Sequence, residues 1–170
     1  MQIINSTPDD KSAIFWLYDA AIAHQKAVSN MHWLPFNRDL VSREIEEGRQ
    51  WKILIDGQIA CVFVTAYSDP DIWAERDESP SVYIHRIVTH PEFRGRNMVG
   101  EILSWAKTHG RALGKQYLRL DTWAENLKLK EVYERNGFEF LEIVTPTNLD
   151  ALPDHYSGIR LALFEIPLFE

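Results

Sequence analysis

His90-Pro91-Glu92-Phe93-Arg94-Gly95-Arg96-Asn97-Met98-Val99-Gly100 is the stretch that decides how this chain is read. Upstream of it, Val82-Tyr83-Ile84-His85-Arg86-Ile87-Val88 is rich in β-branched and aromatic residues and predicts a strand. Downstream, Val99, Ile102, Leu103 and Ala106 recur at helical spacing and predict the buried stripe of a helix. The order is therefore strand, basic glycine-bearing turn, helix. The first amides of a helix lack intrahelical acceptors and the helix dipole adds positive potential there, so such a turn predicts an anion site, for phosphate above all. A cofactor carrying a pyrophosphate is the first expectation.

At 170 residues with 45% hydrophobic content, the chain can bury one sizeable core without needing a second, and a single domain over 1–170 is expected. A net charge of -7 argues against a broad nucleic-acid-binding face and leaves Arg94 and Arg96 to serve something small. The same acidic balance suits a cationic substrate. Cys61 is the single cysteine, which excludes an intrachain disulfide and a cysteine-based metal cluster and fits a reducing compartment. No metal is expected. The sequence contains neither a basic segment leading into an apolar one at its start nor a run approaching the roughly 20 apolar residues of a membrane span, so a cytoplasmic protein without a membrane partner is expected.

Outward from the turn, Met1 to Asn5 predicts a short strand, and Thr7-Pro8-Asp9-Asp10 opens a helix whose buried stripe is Ile14, Leu17, Tyr18 and Ala21. A polar helix follows from Asn37 to Glu47, ending at Gly48. Trp51 to Ile55 and Gln58 to Tyr67 flank Asp56-Gly57, a two-residue hairpin signal. Ser68 to Ser79 reads as a polar loop. After the central helix, Tyr117 to Trp123 predicts a strand, Asn126 to Arg135 a helix stopped by Asn136-Gly137, and Phe138 to Thr145 and Arg160 to Pro167 two strands separated by the turn-rich segment Pro146 to Gly158. Strands joined through helices imply parallel pairs and the hairpin an antiparallel one, so the fold class is a mixed α/β sheet with helices on both faces.

Two phosphate-binding fingerprints fail at the turn. Gly95 and Gly100 have the internal spacing of a Walker loop, but Glu101 stands where its lysine must be, and the Gly-x-Gly-x-x-Gly pattern is absent. A third reading, a nucleotide-binding protein, is disfavoured by that missing lysine. The stretch instead resembles the acetyl-coenzyme A loop of the GNAT superfamily of N-acetyltransferases, where a strand is followed by His-Pro-Glu-x-Arg-Gly-x-Gly-x-Gly/Ala and a helix. His90 to Arg96 matches the first half; Asn97 and Val99 then occupy the usual small-residue positions, and Gly100 comes one place late. Asparagine is the best non-glycine residue there because it tolerates unusual φ and caps helices. A second block strengthens the resemblance: the family places an Asn after its next strand and a Tyr seven residues on, followed by x-x-x-Gly-Phe, as Asn126, Tyr133 and Gly137-Phe138 do here. That spacing is two helical turns, so both side chains share a helix face.

The resemblance implies a mixed, mostly antiparallel central sheet of about six to seven strands with helices on both faces. It implies an enzyme that transfers acetyl from acetyl-CoA to a primary amine of a small molecule or peptide by direct attack in a ternary complex. Cofactor-binding residues would be Ile87, Val88, Arg94, Gly95, Arg96, Asn97, Met98, Val99, Gly100, Asn126 and Tyr133. An alkylammonium titrates near pH 10.4, at about the lysine value, so a base or water chain must remove its proton. Amides at the irregular end of the 82 to 88 strand, Val88 first, would stabilise the developing oxyanion. Tyr133 matches the family's general acid by position, its phenol being protonated at neutral pH. His85 on the central strand is the base candidate. His155 and Asp121 are the others, and no motif decides among them. Each residue also has an ordinary explanation: Asn126 as a helix cap, Gly100 and Gly137-Phe138 as packing, Tyr133 and His85 as core residues, and Trp33, Phe36, Trp73 and Trp123 as packing rather than an acceptor pocket. A non-catalytic acyl-CoA sensor on the same fold is the competing class. A homodimer is one option for its assembly.

Overall fold

The computed structural model describes residues 1–146 and 158–169. The chain forms a mixed α/β fold of seven strands in the order β1-β2-β3-β4-β5-β7-β6, mostly antiparallel. Two compact units divide it: Met1–Thr65 with Arg86–Met98, and Ala66–His85 with Val99–Glu170.

In the first unit, β1 (Gln2–Asn5) pairs antiparallel with β2 (Gln50–Ile55), and β2 with β3 (Gln58–Ala66). The β2–β3 turn is the expected two-residue one: Asp56 (φ 50°) and Gly57 (φ 80°) both take the left-handed backbone that matches the twist of a hairpin. Thr7 and Asp10 form a capping box, with the Thr7 amide donating to Asp10 Oδ2 at 2.7 Å, and a single 3-10 turn leads into α1 (Lys11–Val28). The buried stripe of α1 is Ile14, Leu17, Tyr18 and Ile22; Ala21, expected there, is only half-buried. The 3.6-residue repeat carries the stripe one position further by the fourth turn, and the larger side chain is buried. α2 (Arg38–Glu46) starts where Asn37 Oδ1 accepts the Asp39 amide at 2.7 Å. α1 and α2 bury Ile14, Leu17, Tyr18, Val41 and Ile45, with Phe36 from the segment between them, against Val62 and Val88.

β4 (Ser81–Thr89) runs through both units, its first five residues in the second and its last four in the first. In the second unit it pairs in parallel with β5 (Tyr117–Trp123) over three residue pairs, Ser81↔Tyr117 to Tyr83↔Arg119. β5 pairs antiparallel with β7 (Leu161–Pro167), and β6 (Glu139–Val144) lies on the other edge of β7. Ser68 to Ser79 is not the irregular loop its polarity suggests. It contains α3 (Pro70–Trp73) and a 3-10 segment, Ala74–Glu78, because Ile72 and Trp73 are an apolar anchor buried against Tyr83, Leu161 and Leu163. α4 (Met98–Ala112) buries Met98, Ile102, Leu103 and Ala106, with Val99 half-buried, and α5 (Leu127–Arg135) ends at Gly137, whose φ of 92° stops the helix. Among the described residues no helix is long and apolar enough to cross a membrane.

Candidate functional site

The loop before α4 is anchored at its start and open at its end. The His90 amide donates to the Ala60 carbonyl at 2.9 Å, its ring stacks on Trp16 with centroids 5.0 Å apart, and its Nδ1 accepts the Glu92 amide at 3.2 Å. Phe93 is buried beneath the turn. Arg94, Gly95, Arg96 and Asn97 are exposed, and the Arg96 guanidinium lies 5.0 Å over the Phe93 ring. Gly95 (φ 80°) and Asn97 (φ 52°) both adopt left-handed backbone immediately before α4 begins at Met98. A side chain added at Gly95 would meet nothing within 4 Å, so space is open on that face. Alternating left-handed residues turn successive amides to one side, the geometry of backbone anion nests. Asn97, where the family pattern has glycine, thus takes the conformation a glycine would supply.

The end of β4 is irregular. Arg86 has φ 49°, a backbone costing a non-glycine residue on the order of 1 kcal/mol. Its side chain pairs with Glu44, itself only 4% exposed, and lies 5.0 Å over Phe36. A buried, aromatic-walled ion pair therefore holds the kink in place. Ile87 is half-buried and Val88 buried just beyond it. An arginine inside an apolar strand carries no sequence signal for left-handed backbone, and Glu44 sits on a helix the sequence marks only as polar.

On α5, Asn126 is the N-cap, its Oδ1 accepting the Leu129 amide at 3.1 Å. Tyr133 is 6% exposed, edge-on to Phe138 and Phe164 with centroids 5.9 and 5.6 Å away. Burial, then the charge of Asp121, pushes its phenol above the usual tyrosine range. It therefore holds its proton throughout the neutral range.

Just past the last β4–β5 pair, His85 stands between two carboxylates. Its Nε2 is 3.4 Å from Asp69 Oδ2, its Nδ1 3.8 Å from Asp121 Oδ1, and its ring stacks on Tyr83 with centroids 6.5 Å apart. The Asp121 side chain is only 5% exposed, and this desolvation raises its carboxyl to about 6; nearby His85 opposes the rise and Asp69 adds to it. Asp69 is held in place through its amide, which donates to Asp77 Oδ1 at 2.8 Å, while Asp77 also accepts from the hydroxyls of Ser68 and Tyr83. Of the three base candidates, the structure brings His85 and Asp121 together; His155 lies outside the described residues, as does most of the Pro146 to Gly158 segment. Sequence reasoning missed Asp69 altogether, because it sits in the segment read as loop.

The remaining candidates are packing residues. Trp33 and Phe36 pack in the first unit's core, Trp73 and Trp123 in the second's. Cys61 is fully buried in β3, and desolvation pushes its thiol up to about 12, leaving essentially no thiolate at neutral pH. Cys61→Ala is accordingly expected to keep kcat within about twofold of the wild-type value, and native protein to leave thiol reagents unconsumed; a large loss of turnover would make Cys61 an acyl carrier.

Comparison with known proteins follows the same lines. The Acetyltransferase (GNAT) family matches residues 17–138. The uncharacterized N-acetyltransferase YesJ of Bacillus subtilis (strain 168) is 28% identical over 105 residues, 59% of this chain; the match spans 58% of the relative's own length. A GNAT-family acetyltransferase from Listeria monocytogenes 4b F2365 superposes with a TM-score of 0.80 at 19% identity, covering 98% of this chain and 94% of that one. The structure of yncA from Salmonella typhimurium with its cofactor acetyl-CoA gives a TM-score of 0.71 at 16% identity, covering 100% and 95%.

Proposed function

The chain belongs to the Acetyltransferase (GNAT) family, and from that premise we propose that it moves an acetyl group from acetyl-CoA to a primary amine of a small molecule or peptide by direct attack. The observation that carries the reading is the 90–98 loop: exposed Arg94 and Arg96, left-handed Gly95 and Asn97 with open space above the glycine, and a helix start directly after them. Those features fit a pyrophosphate in charge, donor type and room.

Acetyl-CoA, when bound, supplies a thioester whose carbonyl carbon accepts the amine and whose thiolate departs. Arg94 and Arg96 are assigned to its phosphates with the amides of Gly95, Asn97, Met98, Val99 and Gly100; Ile87 and Val88 line the acyl end, and Asn126 contacts the cofactor arm while capping α5. A ring nitrogen of His85 takes the proton from the substrate ammonium, and the anions of Asp69 and Asp121 favour the imidazolium that forms. The Val88 amide, beside the Arg86 kink, donates to the oxygen on which charge develops. Tyr133 Oη gives its proton to the leaving sulfur. Burial keeps the phenol protonated before the step, and the phenolate left afterwards takes its proton back from solvent water.

Thiol release from acetyl-CoA across a panel of small amines and amino-terminal peptides tests the reading. Arg94→Ala is expected to raise KM for acetyl-CoA about tenfold, the worth of one charge-assisted phosphate contact, with kcat changed much less. An unchanged KM would remove Arg94 from the cofactor site.

A further inference from the structure

We propose that Asp69, His85 and Asp121 form a binding site for a first-row divalent transition-metal ion. One ring nitrogen of His85 and one oxygen from each carboxylate lie within 4.8 Å of one another. Around an ion bound at about 2.0–2.2 Å, neighbouring ligand atoms stand roughly 3 to 3.5 Å apart. Asp69 faces Nε2 at 3.4 Å and Asp121 faces Nδ1 at 3.8 Å, so an ion held by one of these nitrogens keeps one carboxylate where it stands and draws the other in from within 4.8 Å by a turn of the imidazole.

The carboxylates are not an exposed acidic patch. The side chains of Asp69 and Asp121 are 10% and 5% exposed, and the oxygens facing His85 are fully shielded from solvent. Neither oxygen has a hydrogen-bond partner among the described residues; both make only ion-pair contacts with the imidazole. Buried carboxylate oxygens are ordinarily hydrogen-bonded, paired or metal-bound. Among the described residues, two carboxylates face one imidazole, a cluster with more negative than positive charge even when His85 is protonated. A divalent cation supplies the missing charge and uses both oxygens at once.

The donor set selects the ion. One imidazole nitrogen and two carboxylates suit zinc and its first-row neighbours, whereas magnesium prefers oxygen and water ligands and binds imidazole poorly. The scaffold is already rigid at each corner: Asp69 through Asp77, His85 on β4, and Asp121 on β5. An imidazole nitrogen that holds a metal has no lone pair for a proton, so metal occupancy and the base role of His85 exclude one another. Binding of the ion does not depend on that role.

Calorimetric titration of chelator-treated protein with Zn2+, and separately with Mg2+, tests the site. One Zn2+ per chain is expected, at least about tenfold tighter than Mg2+. Asp69→Asn and Asp121→Asn should each weaken Zn2+ by at least about tenfold, while Glu142→Gln, on the exposed β6, should leave it unchanged. Crystals of the wild-type protein soaked in Zn2+ give a readout that needs no variant to fold: an anomalous peak is expected within about 2.2 Å of all three side chains. No binding at millimolar Zn2+, equal affinity for Mg2+, undiminished affinity in both variants, or a peak elsewhere on the chain would each overturn the proposal.

Discussion

Tyr133→Phe is expected to lower kcat by roughly 10²- to 10³-fold while KM for acetyl-CoA moves less than about threefold. The substitution removes only the hydroxyl. The ring keeps its edge-on contacts with Phe138 and Phe164, so the packing that holds α5 against β7 survives. What is lost is a hydroxyl whose acidity burial and Asp121 suppress, and which therefore keeps its proton through the neutral range, as the proposed acid role requires. The deficit should shrink with acyl donors whose thiol leaves readily without a proton. A variant with wild-type turnover would show that Tyr133 is a core aromatic and nothing more.

Asp121→Asn should stabilise the protein and slow it. The Asp121 carboxyl stands at about 6 in the folded chain against 3.8 when exposed, so the folded state binds the proton more tightly. Stability then falls as pH rises from about 4 to 6, and the full cost, on the order of 3 kcal/mol, is present above about 6. Asparagine carries no such charge. Denaturant unfolding in the presence of a chelator should therefore find the variant more stable at pH 8 and equal to wild type near pH 4. Activity should move the opposite way: kcat/KM falls, because one of the two anions that favour the imidazolium of His85 is lost. A destabilised variant at pH 8 would contradict the burial of an ionised Asp121, and unchanged kcat/KM would contradict its support of His85.

The parts legible in the sequence are those where local chemistry and tertiary structure agree. Asp56-Gly57 can take positive φ and does; the 82 to 88 strand, the helix from Met98 and the stop at Gly137 follow from residues that have few other uses. The loop at Arg94 to Gly100 was readable even where it departs from the family pattern, because asparagine is the residue that best replaces a left-handed glycine. Other features depend on contacts between distant segments. Ile72 and Trp73 are two apolar residues in a polar stretch, and only Tyr83, Leu161 and Leu163 make them an anchor for α3. The Arg86 kink depends on Glu44, and the His85 cluster on a loop and a second strand. Such clusters have no spacing rule, so His85 alone could be read as a base candidate while its two carboxylates could not be assigned to it.

Calorimetry with acetyl-CoA tests the central claim most directly, since it needs no knowledge of the acceptor amine. One-to-one binding is predicted, weakened about tenfold by Arg94→Ala and left nearly intact by Tyr133→Phe. Absence of binding at about 1 mM acetyl-CoA, an affinity too weak for any working cofactor site, would contradict the account.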